Sequence, residues 1–156
     1  MDTETRQILA RLLRTQRIAA LGTVRDGAPF VSMVLFAPSP DCTSFFIQIS
    51  RLALHTRDIL QDRRVSLMLA ETDSGAGDPQ LLARVSIQGT AVEVPVTDDD
   101  YAECKSIYLT KYPQAAFNFL LGDFNLFRVR VGTARLVAGF GKIFDLKTED
   151  FREAAG

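Results

Sequence analysis

Hydrophobic positions change period as the chain is read from its start. Ile8, Leu9, Leu12 and Leu13 recur at helical spacing, with Arg6, Arg11 and Arg14 on other faces. This predicts an amphipathic helix packed along one side, with Thr3 or Thr5 as its cap. From Ile18 the pattern tightens. Ile18 to Val24 is apolar and partly β-branched, Arg25-Asp26-Gly27 supplies a hairpin turn, and Ala28 to Phe36 returns as a second strand. Ala37 to Cys42, which holds two prolines, reads as a loop, and Ser44 to Ile49 as a third strand. Leu54 to Asp62 is a short helix whose buried side is Leu54, Ile59 and Leu60, and Val65 to Leu69 is a strand. Thr72 to Pro79 is a loop, expected to be mobile. In the long strand Arg84 to Val94, Arg84, Ser86 and Gln88 alternate with Val85 and Ile87.

The second half holds fewer regular runs. Thr97 with Asp98 to Asp100 marks a helix start that suits the dipole, and Tyr101, Cys104 and Tyr108 give that helix an apolar edge. Pro113 opens another short helix through Leu120. Asn125 to Val131 and Ala134 to Ala138 are two closing strands, followed by Gly139-Phe140-Gly141 and a final short strand or turn. Strands with short connections and a few helices predict an α+β fold, mainly β, built on an antiparallel barrel rather than on βαβ alternation. At 156 residues the chain is expected to form one domain, 1–156.

Composition narrows the function classes. With 47% hydrophobic and 24% charged residues the chain has a globular balance and is not disordered. Its net charge of −1 leaves no basic footprint for nucleic acid. One His and two Cys cannot make a structural zinc site, so no metal is expected. Cys42 and Cys104 are read as reduced packing residues. The polar, acidic start Met1 to Arg6 predicts no secretory leader, and no run of about 20 apolar residues predicts a membrane span. A soluble cytoplasmic protein is the expectation.

Three local signals bear on chemistry. Gly139-Phe140-Gly141-Lys142 is no phosphate P-loop, because Ile143 stands where Ser or Thr would bind magnesium. Ser50, Arg51, His55, Thr56 and Arg57 gather at the join of a strand and a helix start. That is either an ordinary cap with solvated arginines or an anion site using free backbone N–H groups. Arg84 is either a solvent-face residue or, where that face lines a cleft, a bidentate phosphate ligand. No nucleophile elbow or catalytic carboxylate pair can be assembled.

Several segments taken in order carry a resemblance. They are Asp26-Gly27-Ala28-Pro29-Phe30-Val31-Ser32, Ile49 through Arg57, Arg64-Val65-Ser66-Leu67, Asp78-Pro79, Ala83 through Gly89, and Gly139-Phe140-Gly141. Over about residues 17 to 142 the chain resembles the FMN-binding split β-barrel proteins related to pyridoxamine 5′-phosphate oxidase, and within them the short, heme-utilization-like branch.

The resemblance implies a six-stranded antiparallel split β-barrel with peripheral helices, a homodimer, and FMN in grooves between the subunits. It places Ser32 where the oxidases have a phosphate-binding Arg, and His55 where they have a phosphate-binding Lys. Met33 and Val34 would line the flavin, Gln48, Ile49 and Ser50 would contact it from the second strand, Leu54 and Thr56 would flank His55, and Arg84 would be a further flavin contact.

Ala37 replaces an oxidase Lys, and no Arg-x-His pattern follows Lys142, which argues against pyridoxamine phosphate oxidation itself. Asp58 stands where the heme-utilization branch commonly has Asn, and Ala138 where it has Gly. The leading expectation is an FMN-dependent oxidoreductase or flavin reductase taking a small-molecule substrate or electron donor. The alternatives are a heme-binding or heme-degrading protein, with His55 as a candidate iron ligand, and a non-catalytic flavin sensor.

Overall fold

The computed structural model describes residues 1–156. Helix α1 (Thr3–Thr15) buries Leu9, Leu12 and Leu13, as its spacing predicts. Its cap is Asp2, whose carboxylate accepts from the Thr5 backbone N–H at 2.7 Å, while Thr5 itself points into the interior. Strands β1 (Ile18–Arg25) and β2 (Ala28–Leu35) form a hairpin in full register from Ile18 opposite Leu35 to Arg25 opposite Ala28. Asp26 and Gly27 turn it with φ of 50° and 78°, which is the left-handed pair a two-residue hairpin loop requires. Within the expected Ala37–Cys42 loop, Ala37 and Pro38 form the two-residue strand β3.

Strand β4 (Ser44–Ser50) and helix α2 (Leu54–Gln61) follow, then β5 (Arg64–Ala70) and β6 (Arg84–Glu93). The buried side of α2 is Thr56, Asp58 and Ile59. Leu54 and Leu60, expected inside, face outward, because the helix is held by polar bonds beneath it rather than by a leucine stripe. Helix α3 (Tyr101–Lys111) starts at Asp100, but that side chain makes no cap; it pairs with Arg128 instead. The segment 113–120 is two short 3-10 turns rather than one helix.

The two expected closing strands are one, β7 (Phe124–Val137). Gly132-Thr133 looks like a break, yet pairing with β6 continues across it, because Gly132 is the extra residue of a bulge, between Val131 opposite Gly89 and Thr133 opposite Gln88. Strand β8 (Ile143–Leu146) pairs with the far half of β7, and a last helix, α4 (Thr148–Ala155), absent from the sequence reading, buries Phe151 and Ala154.

The eight strands form one antiparallel sheet, ordered β2-β1-β5-β6-β7-β4-β3 with β8 on β7. The fold is therefore the expected split barrel with helices around it, but with eight strands in place of six. Leu21, Ile47, Leu67, Ile87 and Phe127 line its inner face, and α1 and α4 close it. Phe36, Phe45 and Phe151 meet edge to face there, at centroid distances of 5.9 and 6.4 Å. A second, smaller core of Phe46, Tyr108, Tyr112 and Leu126 seats α3 on β4 and β7. Cys42 and Cys104 are both buried free thiols, one in each core. No helix is long and apolar enough to cross a membrane.

Candidate functional site

The sheet does not close into a ring. Edge strand β2 faces β4, which the two-residue β3 covers only in part, across a seam lined on one side by Tyr108 of α3 with Gln114, Ala115 and Asn118, and at one end by His55 of α2. The seam holds a cavity of about 290 Å³ whose lining includes Met33, Val34, Gln48, Ile49, His55 and Asn118. Five of these six are residues the resemblance assigned to a ligand. Only the fold brings residues 33–34, 48–49 and 55 together, since they lie on three separate elements.

His55 is the second residue of α2, and its Nδ1 lies 2.9 Å from the Ser32 hydroxyl. Burial lowers its pKa below the ordinary 6.5, and the nearby Asp58 carboxylate only partly opposes this. The imidazole is therefore neutral at neutral pH. With Nδ1–H donated to Ser32, the Nε2 lone pair is available to a ligand.

Asp58 fixes this histidine's helix. Only 3% exposed, it accepts from Thr23 Oγ1 at 2.7 Å and from Arg25 Nε and Nη2 at 2.9 and 3.1 Å. These bonds, that of Arg25 first, hold its carboxyl below the usual carboxylate range. Arg25 also stacks on Phe30, with its guanidinium carbon 4.0 Å from the ring centre. Thr23, Arg25 and Phe30 all belong to the β1–β2 hairpin, so the network ties α2 to the hairpin that carries Ser32. The N-cap residue of α2, Ala53, has no side chain to bond the first-turn N–H groups.

Other predicted residues do different work. Thr56 is fully buried and donates to the Ser50 carbonyl at 2.6 Å. Ser50 Oγ accepts from the Leu52 N–H at 3.1 Å and donates to Asp123 at 2.9 Å. Ser50 and Thr56 thus build the turn under α2 rather than line the seam. Leu54, next to His55 on α2, stands half exposed and does not line the cavity.

Arg84 is not brought to the seam. It pairs opposite Ala70 and Val137 near one end of the sheet, on the outer face, while Ser32 pairs with the inward Leu21. Its guanidinium donates to the carbonyls of Gln80 and Leu82 at 3.2 and 3.0 Å, closing the turn that precedes β6. Strand alternation puts Arg84 opposite in sense to Val85, and sequence spacing cannot say which face borders a cleft.

The polar lining residues missed are two amides, Gln114 and Asn118, which gather about the predicted Gln48. Gln48 Oε1 accepts from Asn118 at 3.4 Å, while its Nε2 is buried without a partner and Gln114 stands beside them. Asn118 fell in a stretch read only as helix. The one usable signal for the Asp58 network was its position three residues after His55, on the same side of α2.

Residues 5–138 match the family model described as pyridoxamine 5′-phosphate oxidase, and the chain belongs to that family. Among curated relatives it is 36% identical over 121 residues to the non-canonical heme oxygenase HOZ of Arabidopsis thaliana, covering 76% of this chain and 35% of that protein. It is 30% identical over 133 residues to the heme oxygenase HutZ of Vibrio cholerae, covering 80% and 70%. The chain thus spans about a third of one relative and most of the other. A heme binding protein from Mycobacterium smegmatis superposes with a TM-score of 0.85 at 22% identity, over 97% of this chain and 61% of that one. The two curated relatives are named for heme, so the family membership supports the expected fold but stops short of the expected flavin chemistry.

Proposed function

We propose that this chain binds heme at the seam and acts in its oxidative breakdown, the reaction class for which both curated relatives are named. One observation supports this most. The chain's single histidine sits at the seam as a neutral imidazole, held at Nδ1 by Ser32, with Nε2 free. A metal-binding histidine needs an unprotonated ring and a partner on its second nitrogen, and the Ser32–His55 pair meets both needs. Heme, when bound, supplies iron redox chemistry. The protein's part is to hold the ring: Met33, Val34, Ile49 and Phe124 offer an apolar wall, and Asp58 keeps His55 at its place through α2.

Self-association belongs to the same reading. Ile18, Val31, Met33 and Met68 are exposed together on the outer face of β2, β1 and β5, an apolar patch of the kind that marks an interface, and a homodimer is the proposed occupant.

Hemin titration of the purified chain tests the reading. A Soret band saturating at one heme per chain is expected, with its position displaced in His55→Ala. No Soret change on addition of hemin, or an identical spectrum for His55→Ala, sinks it.

A second reading, FMN, is favoured by the uncapped start of α2 beside Ser32 and His55, where free N–H groups and a positive dipole end suit a phosphate. Tight binding of FMN but not of riboflavin, with no heme uptake, would select it.

A further inference from the structure

Two stretches that adjoin seam residues expose large apolar side chains. Leu52 is 73% exposed, Leu54 50%, Phe117 66% and Leu120 82%. Leu52 lies in the turn before α2 and Leu54 begins it. Phe117 and Leu120 bracket Asn118 in the 113–120 segment. These two stretches are bound to each other: the Arg51 N–H donates to the Asp123 carbonyl at 2.7 Å, Ser50 Oγ donates to the Asp123 carboxylate, and Ser50 pairs opposite Phe124. Their immediate neighbours His55 and Asn118 both line the seam. Large apolar groups are ordinarily inside, and four exposed ones on two linked stretches that adjoin seam residues mark a place where something apolar lands.

A charge lies beside them. Arg57 follows Leu54 by three residues, so the two share a face of α2. Arg57 is exposed and has no ion-pair partner, whereas Arg25, Arg51 and Arg64 are each paired with a carboxylate. The seam cavity, about 290 Å³, falls at the small end for a ligand site and is too small to enclose a four-ring macrocycle. Such a ligand would enter by one edge and leave most of its surface at the mouth.

We propose that Leu52, Leu54, Phe117 and Leu120 form a rim that receives the flat hydrocarbon face of heme, with Arg57 pairing one of its carboxylates. The proposal rests on the heme reading above and adds to it the residues that determine which tetrapyrrole is held. The occupant must be apolar over a broad plane and anionic at one edge, which is the complement of four exposed apolar side chains beside a lone guanidinium.

The test is hemin titration of the full chain, followed at the Soret band, for wild type, the double variant Phe117→Ser/Leu120→Ser, and Arg57→Ala. All three positions are exposed, and circular dichroism checks that the fold is kept. The double variant is expected to weaken hemin binding by about tenfold or more, without moving the band, because His55 is untouched. Arg57→Ala is expected to lose severalfold for hemin and nothing for hemin dimethyl ester, which lacks the carboxylates. Wild type that binds hemin beside rim variants that bind it equally well overturns the rim while leaving the heme reading intact. Absence of hemin binding by wild type overturns both. Sedimentation is measured in parallel: variants that turn from dimer to monomer with unchanged hemin affinity show that the rim meets a second copy, which also overturns the proposal.

Discussion

Replacing Asp58 by Ala removes a buried carboxylate that takes three hydrogen bonds, one from Thr23 and two from Arg25. The Thr23 hydroxyl, itself buried, is left without its acceptor, and Arg25 loses its partner but remains partly exposed and can rehydrate. Breaking a fully buried pair costs roughly 3–5 kcal/mol, and the exposure of Arg25 lowers this, so a loss of about 3 kcal/mol is expected. For a domain of this size that is a fall in Tm of roughly 6–12 °C.

Asp58→Asn keeps the shape and loses the charge, so a smaller loss is expected. It also carries a pH signature. The carboxyl pKa is depressed in the folded state, so its stabilisation is fully present above the unfolded value near 3.8 and is lost as pH falls through the folded value. The stability gap between wild type and Asp58→Asn should therefore be constant from pH 7 to about 5 and close only below about pH 4. Urea unfolding at a series of pH values measures both effects. An Asp58→Ala loss under about 1 kcal/mol, or a gap that closes already near pH 6, would refute the assignment of Asp58 as the anchor of α2.

Two further predictions concern other parts of the fold. Gly89→Ala drives a Cβ into the Arg130 carbonyl oxygen, which is backbone and cannot swing aside. The bulge must then shift, and thermal unfolding should show a loss of about 2 kcal/mol or more. The Lys111 ammonium, which donates to the Gln16 carbonyl at 2.6 Å, is pulled by burial down to about 8. The folded state therefore gives up this proton before the unfolded state does, so the group's contribution to stability rises as pH climbs from about 8 toward 10.5. Lys111→Met should lack that rise when its stability is compared with wild type at each pH.

The barrel strands were legible because alternation survives in them: Val85 and Ile87 point inward between Arg84 and Ser86, and Asp26-Gly27 declares its turn. Legibility failed where a local cue was answered from a distance. Gly132 suggests a strand end, but it is the extra residue of a bulge, and pairing with β6 resumes on either side of it. Leu54 and Leu60 look like anchors, yet Asp58 reaching Thr23 and Arg25 anchors the helix. Helix α4 carries only Phe151 as a large apolar residue, too little for a periodic signal. Along the seam, the lining residues Met33, Val34, Gln48, Ile49 and His55 were among those named from ordered resemblance. That Arg84 lies on the outer face, away from the seam, could not be read from spacing, since which face of β6 borders a cleft depends on how the whole sheet curls.

Strand β2 has an implication for how this protein can change over time. Ser32 and Val34 turn inward, to His55 and to the seam, while Val31 stands on the outer apolar face and Met33 borders both that face and the seam. One stretch of four residues thus serves two masters. A slip of one position exchanges the two sets, and a residue chosen for one surface alters the spacing presented by the other. On the proposed reading of seam and patch, ligand preference and subunit association would be mechanically joined in this chain. Selection acting on either one would then leave its mark on the other.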